Sequence, residues 1–391
     1  MAMKPFFILL FTLGALLAPG CSGRTHYSAA DFDLEIYAPA YAAGFDIRGR
    51  RHDRSTLITI RNPWQGAERI EQHLLVLREG AQAPADFDGQ AVKAPVRRVV
   101  CLSSSHVALF DALGQVRRIK GVSGIDYISN PYIRTHRACG EVRDVGHDSD
   151  LDFELLAAMR PDIVLLYGVT GENTVMTGKL QQLRIPYIYI GDYLEPSPLG
   201  KAEWMIVAAE LCDLRDTGEK TFAETAARYN AAAQRIRTYV DEHYPDIACR
   251  PKVLLNTPYR DIWFMPPANN YMVRLIRDAG GDTYTASEQG NASQPVDMEQ
   301  AYLLAADADI WLNVGACNSL AELKAQNPKF ADLPVVRNGQ VYNNTRRRTP
   351  AGGSDFWESG AVHPELILQD LTAIFYPASG IDTLTYYQRL K

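Results

Sequence analysis

The side chains best suited to holding a ligand are tyrosines that follow short apolar segments. The chain has 20 tyrosines in 391 residues, and Tyr127, Tyr167 and Tyr259 come after the segments RIKGVSG, DIVLL and KVLLNT. Ligands of open α/β sheets bind outside the carboxyl ends of the strands. A tyrosine ring offers flat apolar area and a polar tip, so we expect these rings to line one binding mouth. The alternative for any single ring is that it caps the hydrophobic core.

A second set of candidate ligand groups lies in the C-terminal half, where arginines and aromatic residues share loops. The glycine-rich segment YNNTRRRTPAGGSDFWESG holds consecutive arginines, and another loop reads YRDIWF. Guanidinium groups are planar donors that suit carboxylate or catecholate oxygens. The alternative is a solvated run of charge. The predicted ligand-binding residues are Tyr127, Tyr167, Tyr259, Arg260, Trp263, Arg346, Arg348 and Trp357.

Sequence patterns typical of enzymes and metal sites are missing. There is no GxSxG segment, no GxxxxGK[ST] segment and no GxGxxG segment after an apolar strand. The run from Ser103 to His106 is no catalytic triad, because adjacent positions cannot align a nucleophile, a base and an orienting group. The histidines show no HxxxH or HxH spacing. We therefore predict a binding protein with no catalytic residue, no cofactor and no metal site.

The first residues have the pattern of a lipoprotein export signal. The segment MAMKPFFILLFTLGALLAPGC has Lys4 near its start, an apolar run from Phe6 to Leu17, and small residues before Cys21. The run is shorter than the ~20 apolar residues that cross a bilayer. We predict a signal peptide over residues 1–20 and a lipid on Cys21, which tethers a monomeric body outside the cytoplasm, facing the periplasm. The alternative is an ordinary signal peptide whose cysteine is incidental.

The bulk composition is that of an ordinary globular protein. Hydrophobic residues make up 47% and charged residues 22% of the chain, and the formal net charge is −6. No block of Lys and Arg with interleaved aromatic residues is present, so nucleic acid is not an expected partner. The cysteines after Cys21 are odd in number, widely spaced and without a CxxC pair. That spacing fits neither a disulfide scaffold nor a zinc site.

Apolar periodicity predicts an α/β chain with a small β-rich start. Residues 21–95 are a linker and β-rich lead-in, and short continuous apolar strands alternate with helical segments over residues 96–197 and 246–391. This alternation favours mostly parallel sheets with helices on both faces. Residues 198–245 have helical periodicity. The expected organisation is therefore two α/β lobes joined through a helical linker.

One helix in the linker is unusually long. Apolar residues recur at helical spacing from Phe222 to Val240. Asp216 stands where a carboxylate can cap the helix, with Glu219 at the capping-box position. From Asp216 to His243 the helix would be ~40 Å long at 1.5 Å per residue. Since it lies between two α/β segments, we predict that it forms a spine connecting them.

Two glutamates occupy matching positions in the two halves. Asp152-Phe-Glu154 opens a helical segment that leads to the strand DIVL, and Asp297-Met-Glu299 opens another that leads to DIWL. The helix dipole favours a glutamate in the first turn by ~0.3–1 kcal/mol, so a local role is one interpretation. A role towards a partner is compatible with it. The similarity of these two segments also indicates that the two halves have the same order of elements.

Together these features resemble the helix-linked substrate-binding proteins of bacterial ABC importers for iron complexes and cobalamin. The resemblance starts near Val96 and rests on the segments RRVVCLSSSHVALFDALG, DLDFELLAAMRPDIVLLYG, VDMEQAYLLAADADIWLNVG and HPELILQDLTAIFYP. It implies two Rossmann-like lobes that face each other across a ligand cleft, joined by one long helix and moving little on binding. It also implies that Glu154 and Glu299 dock on arginines of the permease. The extended region 31–93 departs from the family pattern.

The resulting hypothesis is a lipid-anchored receptor that captures an iron chelate, a ferric siderophore, and delivers it to an inner-membrane ABC permease. Cobalamin is the nearest alternative, because the resemblance implies the same fold and an equally aromatic cleft, and heme is the third. An alternative of another class is an adhesion or chelate-modifying lipoprotein without a permease.

Overall fold

The computed structural model describes residues 28–391 except 52, 85–86, 88, 148–149, 260–261, 288–292 and 382. The predicted signal peptide, Cys21 and Arg260 lie outside the described residues. Within the part of the chain that is described, no helix is long and apolar enough to span a bilayer.

The first described unit is an N-terminal sheet, called the extension below. Its strands are β1 (Leu34–Tyr37), β2 (Phe45–Arg50), β3 (Asp53–Arg61), β4 (Glu71–Leu77) and β5 (Gln90–Lys93). They lie in the order β1-β2-β3-β4-β5, antiparallel except for the parallel β4–β5 pair. Phe45, Ile47 and Gly49 of β2 are buried, whereas Asp46 and Arg48 between them are more exposed. This period of two places one face of the sheet on the core.

Two buried carboxylates fasten the extension to the helical linker. Glu203 accepts hydrogen bonds from the backbone N–H groups of residues 40–42, at 2.8, 2.8 and 2.6 Å. Glu195 accepts hydrogen bonds from the N–H groups of residues 43–44 at 2.9 and 3.0 Å, and from Trp204 Nε1 at 2.9 Å. A buried carboxylate is costly unless it is hydrogen-bonded. These contacts therefore fix the extension against the rest of the molecule.

The N-terminal lobe is a parallel sheet that is buried on both faces. Its elements are β6 (Val99–Cys101), α1 (Ser104–Ala112), β7 (Ile119–Val122), α2 (Pro131–Arg137), β8 (Arg143–Asp144), α3 (Phe153–Met159), β9 (Ile163–Leu166), α4 (Thr174–Gln182) and β10 (Tyr187–Tyr189). The strand order is β10-β9-β6-β7-β8, with every neighbouring pair parallel. Val99 and Cys101 belong to one hydrophobic cluster and Val100 to another. Burial on both faces explains the continuous apolar run in the sequence.

The linker consists of α5 (Pro198–Glu203), α6 (Met205–Leu211) and the long α7 (Arg215–His243). The predicted apolar stripe of α7 is confirmed, since Phe222, Tyr229 and Val240 are all buried. At 29 residues, α7 is ~43 Å long. Tyr229 Oη donates a hydrogen bond to Asp278 Oδ2 at 2.8 Å, which ties the helix to the C-terminal lobe.

The predicted cap of α7 is wrong. The helix begins at Arg215, and the residue before it, Leu214, offers no side-chain hydrogen bond. The Leu214 carbonyl already accepts the Gly218 N–H at 2.9 Å, so Asp216 lies inside the first turn rather than before it. Glu219 pairs with Arg215 at 3.5 Å instead of completing a capping box.

The C-terminal lobe repeats the α/β plan. Its elements are β11 (Lys252–Leu255), β12 (Trp263–Met265), α8 (Tyr271–Asp278), β13 (Asp282–Thr283), β14 (Gln294–Val296), α9 (Met298–Ala306), β15 (Ile310–Leu312), α10 (Leu320–Gln326), α11 (Pro334–Arg337), β16 (Val341–Asn343), α12 (Pro364–Phe375) and β17 (Gln388–Arg389). The main sheet has the order β13-β11-β15-β16-β17, with only β17 antiparallel in the described sheet, and β12 pairs with β14 in a separate ribbon.

The predicted fold class is confirmed. Mostly parallel sheets form two lobes, and a single long helix connects them behind a β-rich extension. The lobes also touch directly through loops that follow β7 and β16, and these loops belong to the candidate site.

Candidate functional site

The strand order locates a crevice in each lobe. The chain order of the strands reverses between β6 and β9 in the N-terminal lobe, and between β11 and β15 in the C-terminal lobe. Ligands of doubly wound sheets bind at such switch points, outside the carboxyl ends of the strands. Tyr167 directly follows β9, and Tyr259 lies in the segment after β11. We therefore expect each of these tyrosines to border the crevice of its own lobe.

Several of the predicted aromatic residues present open surface. Tyr127 is 49% exposed, Tyr259 is 61% exposed and Trp357 is 46% exposed. Tyr167 is half-buried and meets the His106 ring edge-on, with ring centroids 6.5 Å apart. Exposed rings in loops at the carboxyl edge of both sheets are available to a flat apolar surface.

Trp263 does not belong to that surface, and its predicted ligand contact is wrong. Its side chain is fully buried, and Trp263 Nε1 donates a hydrogen bond to the Leu255 carbonyl at 2.9 Å. The ring stacks on Trp311 with centroids 5.6 Å apart. Successive side chains of a strand point to opposite faces, and the exposed ring of β12 is Phe264, at 42%.

The arginine run is divided between structural contacts and solvent. Arg348 Nη1 donates hydrogen bonds to the Ala316 carbonyl and to Asn318 Oδ1, both at 3.1 Å. Arg347 pairs with Asp355 at 3.3 Å. Arg346 has an exposed side chain. Arg348 therefore holds neighbouring loops of its own lobe together, while the side chains of Arg346 and Arg347 are both exposed.

The two lobes touch on one side of the cleft. Thr349 Oγ1 donates a hydrogen bond to the Asp126 carbonyl at 2.8 Å, and the Ser129 N–H donates to Glu358 Oε2 at 2.7 Å. Gly353 lies so close to the other lobe that a Cβ atom there would be 1.9 Å from the Tyr127 carbonyl oxygen. This contact joins the loop after β7 in the N-terminal lobe to the loop after β16 in the C-terminal lobe.

A cavity of about 550 Å³ with many polar and charged lining residues lies beside this interlobe contact. Glu358 lines it and is only 3% exposed. Burial raises the pKa of the Glu358 carboxyl to about 7. The cavity wall includes residues from both lobes: Asp111, Ser129, Asn130, Arg134, Arg347, Arg348, Asp355, Glu358 and His363.

A buried polar group lies under the N-terminal crevice. His106 on α1 is fully buried, and its ring lies close to the backbone of Leu165 and to the Tyr167 ring. Burial lowers the pKa of His106 to about 4, which keeps the ring neutral. Nearby, Lys201 pairs with Asp192 at 2.6 Å, and its ammonium group lies 5.6 Å from the centre of the Tyr271 ring on α8. This buried pair connects the end of the N-terminal sheet with the C-terminal lobe.

Asparagines end strands of the C-terminal lobe, a feature that the sequence analysis missed. Asn256 and Asn313 follow β11 and β15 with φ of 66° and 59°, a left-handed conformation that asparagine tolerates better than most residues. Asn343 ends β16, and its Nδ2 donates hydrogen bonds to the carbonyls of Gly315 and Cys317 at 2.9 and 2.8 Å. The repeated segments LLN, WLN and VYN were the available signal.

The matched glutamates are exposed in both lobes. Glu154 and Glu299 lie in the first turns of α3 and α9. Asp152 accepts a hydrogen bond from the Leu155 N–H at 2.8 Å, and Asp297 accepts one from the Glu299 N–H at 3.0 Å. Each helix runs from the carboxyl edge of its sheet towards the next parallel strand. The two carboxylates are therefore held at equivalent edges of the lobes.

No metal-binding group is recognisable in the described part of the chain, where no cluster of at least three His, Cys, Asp or Glu residues could hold an ion. The described cysteines, which are Cys101, Cys139, Cys212, Cys249 and Cys317, are unpaired.

A comparison with protein families identifies the class. The sequence profile described as periplasmic binding protein matches residues 99–346, which is more than half of the chain. The protein therefore belongs to the periplasmic binding protein family, and its two lobes with one long connecting helix are those of the helix-linked substrate-binding proteins. The resemblance drawn from the sequence is confirmed at this level.

Relatives and solved structures agree with the family. Two uncharacterized lipoproteins of Methanocaldococcus jannaschii are 24% and 23% identical, over 76% and 83% of this chain and 69% and 82% of their own lengths. A periplasmic heme-binding protein from Pseudomonas aeruginosa is 18% identical with a TM-score of 0.58, covering 76% of this chain and 98% of that chain. Another from Roseiflexus sp. RS-1 is 20% identical with a TM-score of 0.54, covering 72% and 98%. These structures share the fold.

Proposed function

We propose that this protein is a lipid-anchored substrate-binding protein that captures an anionic iron chelate, a ferric siderophore, and delivers it to an ABC permease in the inner membrane. The observation that carries the proposal is the pair of crevices bordered by Tyr167 and Tyr259, with exposed rings and Arg346 in the loops at the same edge. Aromatic surface suits the organic part of a chelate, and guanidinium groups suit its anionic oxygens.

The anchor and the location rest on the N-terminal segment and on the relatives. Cys21 follows an export-type apolar run, and two relatives are named lipoproteins. A lipid-modified Cys21 would keep the receptor at the membrane surface, within reach of a permease.

Ligand titration tests the binding part of the proposal. The purified protein is titrated with a ferric tricatecholate, a ferric hydroxamate, cyanocobalamin and hemin, and the tyrosine and tryptophan fluorescence is followed. We expect saturable quenching by a ferric siderophore. Substituting Tyr259→Ala should weaken binding, whereas Tyr302→Ala, which removes another exposed ring away from the strand ends, should not. Binding of none of the probes would contradict the proposal.

Charge reversal tests delivery. We expect the double substitution Glu154→Arg and Glu299→Arg to abolish uptake of the bound chelate and to leave its affinity unchanged, because both side chains are exposed in first helical turns and not in the segments that follow β9 and β11. The control variant carries Glu141→Arg and Asp332→Arg, which reverse one exposed charge on each lobe at other positions. Uptake that survives the first variant would favour an adhesion or chelate-modifying protein without a permease.

Heme is the second candidate ligand. Two solved structures of the same fold are periplasmic heme-binding proteins, and the same aromatic rings and arginines suit a flat anionic porphyrin. Tight binding of hemin with no response to the ferric siderophores would select it.

A further inference from the structure

One loop of the extension reaches onto the N-terminal lobe. Residues 62–70 connect β3 and β4. The Gln65 N–H donates a hydrogen bond to the Gly168 carbonyl at 2.9 Å. The Trp64 ring meets the Tyr189 ring edge-on, with centroids 5.3 Å apart. The loop is therefore attached to the carboxyl edge of the parallel sheet.

The attachment is close enough to require glycine at residue 168. A Cβ atom on Gly168 would lie 2.4 Å from Trp64 Cβ, far inside van der Waals contact. Gly168 is the residue after Tyr167, and its N–H donates a hydrogen bond to Tyr193 Oη at 3.2 Å. The loop thus lies directly beside the tyrosine that borders the N-terminal crevice.

The loop has a defined internal structure. The Asn62 N–H donates to the Ile70 carbonyl at 2.8 Å, and the Ile70 N–H returns a hydrogen bond to Asn62 Oδ1 at 3.2 Å. Inside the loop, the Ala67 N–H donates to the Trp64 carbonyl at 3.0 Å. Because the loop is closed at its base and anchored by a tryptophan, its position is fixed. Its exposed charged residues are Glu68 and Arg69.

The loop also lies outside the part of the chain that the family shares. The family profile begins at residue 99, whereas the loop ends at residue 70. A contact made by this loop is therefore additional to those of the shared fold.

We infer that loop 62–70 is an added wall of the ligand cleft, in which Trp64 fixes the loop beside Tyr167 and the exposed charged pair, Glu68 and Arg69, contacts the polar rim of the bound chelate. The inference rests on the proposed function, because it assumes a ligand in the crevice between β6 and β9. It gives the extension a part in ligand selection.

The test compares two charge-removal variants of the extension. Glu68→Ala with Arg69→Ala removes the exposed charged pair of the loop. Arg51→Ala with Glu79→Ala removes one exposed base before β3 and one exposed acid after β4, at the ends of these strands that are far from the loop. For the ferric siderophore, cobalamin or hemin probe that the unchanged protein binds, we expect the first variant to lose affinity about fivefold, in the range of exposed charged contacts, and the control to lose none.

A second variant, Trp64→Phe, tests the anchor. The smaller ring should loosen the edge-on contact, so affinity should fall and the amides of residues 62–70 should exchange hydrogen faster, while amides of α7 keep their protection. Unchanged affinity in both loop variants would overturn this inference and leave the proposed function standing. Reduced uptake with unchanged affinity would also overturn it, because the loop would then contact the permease. If the unchanged protein binds none of the probes, the inference fails together with the proposed function.

Discussion

At the residue scale, the contact between the lobes depends on a few atoms. Gly353 is needed because the Tyr127 carbonyl occupies the space of a side chain. Glu358 accepts a hydrogen bond from the Ser129 N–H of the other lobe. Single substitutions at these positions should therefore change the stability of the whole molecule rather than of one loop.

Substituting Gly353→Ala should lower the free energy of unfolding by about 1–3 kcal/mol, the range found when a methyl group is forced into a filled space. Urea denaturation followed by circular dichroism measures it. The control is Gly178→Ala in α4, where nothing lies within 4 Å of the added Cβ, so that change should be neutral or stabilising. Equal effects of the two substitutions would contradict the assigned steric role.

Glu358 should make stability depend on pH. Its pKa is raised from 4.5 to about 7 in the folded protein, so between these values the folded state binds a proton that the unfolded state does not. Its contribution to the free energy of unfolding therefore falls as pH rises through that window. The decrease between pH 5 and pH 7, measured by urea denaturation, should be smaller in Glu358→Gln. Identical slopes in the two proteins would refute the assignment.

At the element scale, the extension is fastened through carboxylates of the linker rather than through a chain of local contacts. Glu203 accepts hydrogen bonds from Tyr37 Oη at 2.7 Å and from the N–H groups of residues 40–42. An amide in place of the carboxylate would present an NH₂ group to some of these donors. The donors that face the NH₂ group would then lose their acceptor.

We expect Glu203→Gln to destabilise the protein by roughly 3 kcal/mol, since a hydrogen bond to a charged group contributes ~1.5–3 kcal/mol. Hydrogen exchange should show faster exchange of the amides of residues 40–42. Glu224→Gln, an exposed position on α7, is the control and should change neither quantity. Unchanged protection of residues 40–42 would show that other contacts hold the segment.

The sequence predicted the elements whose apolar residues recur at a regular spacing. It missed the contacts between residues that lie far apart in the chain. The apolar stripe from Phe222 to Val240 predicted α7, because the helical spacing of apolar residues is visible within the segment itself. Glu195 and Glu203 gave no signal, since their partners lie more than 150 positions away. In the three-residue strand β12, alternation is too short to show that Trp263 faces the core and Phe264 faces solvent.

At the scale of the whole molecule, the lobes are connected in several places at once. The long helix α7 contacts the C-terminal lobe through Tyr229 and through Arg228, whose Nε lies 3.1 Å from Glu365 Oε1 on α12. The Ser129–Glu358 hydrogen bond and the contact of the Lys201 ammonium group with the Tyr271 ring add further connections. A wide hinge motion would have to break all of these together.

The lobes should therefore move little when a ligand binds. Small-angle scattering of the purified protein, with and without a saturating probe ligand, should give the same radius of gyration within error. A clear decrease on binding would show that the interlobe contacts open and close in solution, contrary to this expectation.

The attachment of the extension through Glu203 also affects the order in which contacts can form as the chain is synthesised. A ribosome synthesises Ala40 long before its hydrogen-bond acceptor, which lies 163 positions later at Glu203. Until that acceptor emerges, the amides before β2 have only water as a partner. The first sheet to be translated is therefore among the last to be attached to the rest of the molecule, and newly made chains that stop before residue 195 should be readily cut by proteases in the segment before β2.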